Sequence, residues 1–333
     1  MRRIKIAQIG VNTNSHSNLI YGSMEKQKDM FDIAGIVFPE NERERLPQKT
    51  DLGCAELTLD EVLNDPEIEA VTIETDEIYL TKYALLAAKA GKHIHMEKPG
   101  GLSLDDFREL VEVVKENGKV FHTGYMYRYN PCVMELLEKI RNGELGEIIS
   151  VEAQMNCSHP VAVRQWLKDF PGGMMFFLGC HLVDLVVQIQ GLPNAVTAYN
   201  TCTNTDGVTA KDFGMAVFEY DNGVSFVKTS AREIGGFARR QLVVSGTKGT
   251  VELKPFEMNT GNGLQYTKKT AYYSNNWNDM GEEYQTEPYS RYDGMMAAFA
   301  AMVRGEKQNP YTPEYELAVY QTLLKACGVD YHG

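Results

Sequence analysis

The sequence predicts an α/β protein: a parallel, doubly wound sheet in the first third, then an α/β domain with a large, mostly antiparallel open sheet. Three observations predict it. Strand-like and helix-like segments alternate up to about residue 123. After residue 124 the strand-like runs succeed one another, with Asp221-Asn222-Gly223 and Gly246-Thr247-Lys248-Gly249 as turn chemistry between neighbours. Finally, 333 residues are long for one hydrophobic core. The boundary is placed at 123/124, giving domains 1–123 and 124–333.

Taken in order, Ile4, Ile6 and Ile9 mark a first strand, followed by a polar, helix-compatible stretch to about Met30 and a second strand at 32–38. Thr58 stands three residues before Glu61, the spacing of a capping box, and so opens a helix. A strand at 70–75 and a helix at 79–91 come next, the latter stopped by Gly91. A strand at 92–97 then leads to a helix from Ser103 to Gly118, whose Phe107, Leu110, Val111 and Val114 recur at helical spacing. Beyond a helix at 130–143, strands are expected at 147–155, 212–220, 223–231 and 239–253. Two helical stretches, 292–304 and 313–327, close the chain.

Composition limits the partners. A net charge of -12 repels polyanions, which argues against nucleic acid and against an anionic membrane surface. No apolar run approaches the roughly 20 residues that span a bilayer, and the basic start is too weakly apolar for a signal peptide. The six cysteines are widely spaced without a C-x-x-C pair, the pattern of reduced thiols in a cytoplasmic protein rather than of a metal site or a disulfide framework.

The stretch "AQIGVNTNSHSN" (7–18) sits where a dinucleotide-binding fold carries its Gly-x-Gly-x-x-Gly turn. Only Gly10 is a glycine. Asn12, Asn14 and Ser15 follow, small polar residues that tolerate a tight turn and add donors toward phosphate. At the end of the second strand, where a carboxylate would take the ribose hydroxyls, stands Phe38, with Glu40 two residues on and Arg43 and Arg45 nearby. These residues are compatible with NAD and with NADP, and NAD is the working assignment. Thr75 ends the third strand. In "HMEKPGG" (95–101), Glu97 and Lys98 end the fourth, on the edge where open α/β sheets bind ligands.

Gly91-Lys92-His93 with Glu97-Lys98-Pro99, then Gly124, Tyr125, Arg128 and Pro131, then "GGMMFFLGCHLVD" with Gly172, Gly173, Gly179, His181 and Asp184 follow in a distinctive order. Together they resemble the glucose-fructose oxidoreductase, inositol dehydrogenase and MocA family. The resemblance implies an N-terminal Rossmann domain, a bound NAD(P), and hydride exchange with a ring hydroxyl of a sugar, sugar derivative or cyclic polyol. By it Lys98 polarises the substrate oxygen and His181 serves as general base, since the hydroxyl must lose its proton as hydride leaves. It also implies a homodimer or homotetramer formed through the open sheet.

The chain departs from that pattern at Phe177, where the family carries an aspartate, and at Asp76 and Leu80. His159 is the candidate to replace the missing group, with Tyr127 and Arg164 as further candidates near the substrate. Trp166 offers a flat face to a sugar ring, and Trp277 offers either such a face or ordinary packing. No metal is expected. Two other readings remain: a non-catalytic sensor of cofactor or sugar, favoured by Phe177, and an enzyme that recycles a bound NAD in a net hydrolysis or epimerisation.

Overall fold

The structure, a computed structural model, describes residues 2–45 and 53–330. The chain forms two compact units. One comprises residues up to Tyr125 together with Tyr292–Ala318, and the other Met126–Arg291 together with the residues from Val319 on. The expected boundary at 123/124 therefore lies two residues from the first crossing, but it misses the return: residues 292–318, assigned to the second domain, pack in the first unit.

In the first unit five parallel strands, β1 (Ile4–Ile9), β2 (Phe31–Val37), β3 (Ala70–Ile73), β4 (His93–Met96) and β5 (Phe121–Thr123), pair in the order β2-β1-β3-β4-β5. The order reverses between β1 and β3, which creates a crevice at their carboxyl ends. Helices α1 (Ser17–Lys26), α2 (Glu42–Arg45), α3 (Leu59–Asn64), α4 (Leu80–Lys89) and α5 (Leu104–Asn117) connect the strands. Their boundaries have local causes. Thr58 and Glu61 form the capping box of α3. Ser103 accepts the Asp106 amide at the start of α5, and Gly118 ends that helix with φ at 59°. The returning segment adds α9 (Asp293–Val303), tied to α1 by a 2.7 Å hydrogen bond from Ser23 Oγ to Asp293. Phe299 of α9 lies against the rings of His95 and His122.

The second unit is built on eight strands: β6 (Ile148–Asn156), β7 (Ala195–Thr201), β8 (Phe213–Tyr220), β9 (Gly223–Ser230), β10 (Gln241–Gly246), β11 (Thr250–Leu253), β14 (Lys268–Tyr272) and β15 (Glu282–Gln285). A small pair, β12 (Met258–Asn259) and β13 (Gln265–Tyr266), stands apart. In the large sheet only β6 and β9 run parallel; the other pairs are antiparallel. Val151, Ala153, Met155, Ala216, Phe218 and Val227 alternate onto one buried face. On the opposite face Val217 pairs with Phe226, and Met215 lies beside Tyr199.

The helices of this unit are α6 (Pro131–Arg141), α7 (Val161–Trp166) and α8 (Cys180–Gln190). Helix α10 (Pro313–Ala326) carries the chain from one unit into the other. Asn130 caps α6 by accepting the amides of Cys132 and Val133, with Pro131 as first helical residue. Helix α8 is fastened by the buried pair of Arg128 and Asp184, with Nη2 to Oδ1 at 2.7 Å and Nε to both carboxylate oxygens at 3.1 Å. Removing one member of such a buried pair strands the other's charge. Asp184→Ala is expected to cost about 3–5 kcal/mol of stability, read as a lowered urea midpoint.

Candidate active site

The turn after β1 is shaped by close approach. Gly10 has φ at 97°, and a Cβ there would lie 2.4 Å from the Thr75 backbone. Only glycine fits, and the turn therefore rests directly on the end of β3. The Gly10 amide donates to Val37 O at 2.8 Å and the Asn12 amide to Glu74 O at 3.0 Å, so the turn is tied to both neighbouring strands.

Asn12 is the hub. It is buried, donates from Nδ2 to Glu77 Oε2 at 2.7 Å, accepts the Asn14 amide on Oδ1 at 2.8 Å, and accepts Ser17 Oγ on its carbonyl at 2.9 Å. Ser15 Oγ is buried with no hydrogen-bond partner among the described residues. His16 precedes α1 without capping it through its side chain. A glycine cradle that a Cβ would fill, an unsatisfied hydroxyl and a helix start together fit the pyrophosphate of a dinucleotide.

Sequence reading missed a brace under this turn. Glu42, on α2, is buried and accepts the Val11 amide at 2.8 Å and Thr75 Oγ1 at 2.5 Å, joining three segments. Burial pushes its carboxyl up, against the pull of the Thr75 and Val11 donors. Phe38 falls just past the end of β2, with the Arg43 guanidinium 5.5 Å from its ring centre. Glu40 is held by Lys82 Nζ at 2.5 Å and Tyr83 OH at 2.8 Å. A cavity of about 390 Å³ beside it is lined by Phe38, Arg43, Glu56, Thr58 and Tyr83 among others.

At the end of β4, Lys98 and Glu97 form a buried ion pair, Nζ to Oε1 at 3.3 Å. Burial works against the Glu97 carboxylate, yet the Lys98 ammonium and His16 outweigh it and hold the group at about 2. Two further carboxyls lie in the same buried region. Neither oxygen of Glu74 has a hydrogen-bond partner among the described residues, and burial, then the Glu97 charge, pushes it well above the carboxylate range. Burial raises Glu77 to about 7, with Lys98 pulling the other way. His95 is driven down to about 4 by burial and shares a 2.8 Å contact between Nδ1 atoms with His122.

The second unit gathers the other candidates around α8. His181 is buried in its first turn, just after a π-helical turn at Met175–Gly179, with the Tyr127 ring edge-on at 4.9 Å. Phe177 lies four residues earlier. Its ring meets Trp166 at 5.1 Å, Phe170 at 6.3 Å and His159 at 6.4 Å, an apolar wall where an aspartate was expected. The His159 imidazole is lowered by burial and by the Arg240 charge.

Two expectations take a different form. Tyr127 turns its hydroxyl to Glu257, and Arg240 reaches both, at 3.1 Å and 2.6 Å; Arg291 holds the other Glu257 oxygen at 2.6 Å. Arg164, expected to face substrate, is instead engaged by Asp212, Asp206 and Thr205 and fastens α7 to that loop. Trp277 is fully exposed and packs against neither Trp166 nor Phe177. Asn156, which no motif announced, ends β6 fully buried with both side-chain atoms lacking partners among the described residues; Arg240 Nε contacts its carbonyl at 3.4 Å.

The raised carboxyls have a consequence for stability. Glu74 and Glu77 hold protons in the native state above the unfolded value of about 4.3, up to about 7 for Glu77. The folded form therefore binds more protons than the unfolded one in that window, and stability from these groups falls as pH rises through it. Thermal unfolding of Glu77→Gln is expected to show the variant gaining on the wild type from about pH 5 to about pH 7. A constant difference across that range would contradict the assignment.

Comparison with known proteins agrees with the two-part architecture. Residues 4–125 match the oxidoreductase family with NAD-binding Rossmann fold, and residues 133–252 match the GFO/IDH/MocA C-terminal domain. The uncharacterized oxidoreductase YhhX of Escherichia coli is 31% identical over 196 residues, 58% of this chain and 54% of that protein. The scyllo-inositol 2-dehydrogenase (NADP(+)) IolW of Bacillus subtilis is 25% identical over 222 residues, 65% of this chain and 60% of that one. The chain thus spans little more than half the length of these two relatives. The fold of the aldose-aldose oxidoreductase of Caulobacter crescentus, complexed with glycerol, superposes with a TM-score of 0.77 at 18% identity over 98% of both chains. With its nucleotide turn on a five-stranded parallel sheet and its second unit matched as well, the chain belongs to the Gfo/Idh/MocA family of oxidoreductases.

Proposed function

We propose that the protein is an NAD(P)-dependent oxidoreductase that moves a hydride between the nicotinamide and a ring hydroxyl of a sugar, sugar derivative or cyclic polyol. The observation that carries this reading is the buried Lys98–Glu97 pair at the end of β4, in the same unit as a turn shaped for a dinucleotide. A lysine is not buried on a sheet edge for stability alone, because desolvation opposes its charge. The activities of relatives such as scyllo-inositol 2-dehydrogenase support the substrate class.

The bound cofactor supplies the hydride acceptor or donor. Gly10, Asn12, Asn14, Ser15 and Thr75 would hold its phosphates, and Phe38 and Glu40 border its adenosine end. Lys98 hydrogen-bonds the substrate oxygen, and Glu97 fixes the ammonium for that contact. In oxidation His181 accepts the hydroxyl proton as the carbinol C–H bond breaks; in reduction it returns it. Trp166 and Asn156 are the aromatic and amide groups suited to a sugar, and the His159 imidazole lies 6.4 Å from the Phe177 ring. The protein functions in the cytoplasm as a homodimer or homotetramer, the exposed face bearing Tyr199 and Phe226 being the surface that joins copies.

The test is kinetic. With NADH, NADPH and a panel of sugars and cyclic polyols, Lys98→Ala is expected to lose about 10²-fold or more in kcat while cofactor affinity, followed by nicotinamide fluorescence, changes little. Undiminished turnover would remove Lys98 from the chemistry. The apolar wall at Phe177 favours a second reading, a sensor that binds the same ligands without turnover. Saturable cofactor binding with no oxidation or reduction of any panel member would select it.

A further inference from the structure

We propose that Glu77 is a positioning residue for the dinucleotide turn, and that the turn takes up the cofactor's pyrophosphate together with a proton on Glu77. This rests on the reading of the turn as a dinucleotide site.

The argument begins with Asn12, which stands where a second glycine is usual. Its side chain faces two ways. Oδ1 organises the turn by accepting the Asn14 amide, and Nδ2 reaches back to Glu77 Oε2 at 2.7 Å. The arrangement of the loop at 12–17 is thus referred to a carboxyl that is fully buried, and Glu77 Oε1 has no hydrogen-bond partner among the described residues.

The charges facing Glu77 make its protonation decisive. Glu74 is buried beside His95, and Glu97 lies between Lys98 and His16. Glu42 braces Thr75 and Val11 from below, and Asp76 is paired with Arg45 at 2.6 Å. The single Lys98 charge acts on Glu97, Glu74 and Glu77 together and cannot offset all three, so an ionised Glu77 adds net negative charge behind the surface that must accept a dianionic pyrophosphate. In a low-dielectric setting that repulsion is strong. The neutral acid keeps the Asn12 contact, because its carbonyl oxygen still accepts Nδ2, and removes the charge. Burial raises the group to about 7, so the proton is exchanged within the working range of a protein.

The experiment is calorimetric titration of the whole protein with NADH, NADPH and ADP-ribose in pairs of buffers of different ionisation heat. At about pH 8 the wild type is expected to take up close to one proton per ligand, and equally with ADP-ribose, which lacks the nicotinamide. Affinity is expected to fall toward tenfold per pH unit above the titration point of Glu77. Glu77→Gln keeps the acceptor for Asn12 and is expected to bind with no proton uptake and nearly constant affinity from about pH 6 to about pH 9. Wild-type binding without proton uptake, uptake confined to the nicotinamide-bearing ligands, or uptake retained in Glu77→Gln but lost in Glu74→Gln would each overturn the proposal while leaving the dinucleotide site intact. Failure of all three ligands to bind the wild type at about pH 6 would overturn the dinucleotide reading and this inference with it. The wild-type measurement needs no variant to fold.

Discussion

The contact on which the first unit depends is the absence of a side chain at Gly10. Because nothing projects from that residue, the turn after β1 settles onto the Thr75 backbone, and the rest of the local order follows. Asn12 comes within reach of Glu77, the Val11 amide meets Glu42, and Thr75 donates its hydroxyl to the same carboxylate. Four acidic side chains then crowd behind one anion-accepting surface, with the Lys98 ammonium among them. The site is therefore organised as much by which carboxyls stay neutral as by which groups point toward a ligand.

Much of this architecture was legible in the sequence because the causes are local. Capping at Thr58 and Ser103 and the stop at Gly118 act within a few residues of themselves, and all three appear as expected. Alternation along β8 and β9 likewise reports a sheet with one buried face. Gly10 could be singled out for the same reason: a glycine closing a strand before a helix marks backbone that other residues resist.

What stayed hidden is set by distant contacts. Glu42 reads as one of several charges in "ENERER" and becomes a brace only because Val11 and Thr75 converge on it. Asn156 looks like a polar strand end, and its burial arises from the packing of the second unit around β6. Arg164 likewise takes its setting from afar: a cation in a suggestive segment is paired with Asp206 and Asp212, more than forty positions on. Helix α9 is apolar on most sides, so its pattern announces burial without saying against which sheet.

That last element bears on how the protein comes into being. The first unit is assembled from two stretches separated by more than 160 residues, and α9, which covers His95 and His122 through Phe299, belongs to the later one. On the ribosome the parallel sheet emerges long before its cover. Until the polypeptide has been extended past residue 303, the face of β4 and β5 that α9 covers must be held open or shielded by a chaperone. A truncated product ending after Tyr125 lacks a layer of its own core, so the nucleotide-binding unit is complete only once α9 has been translated.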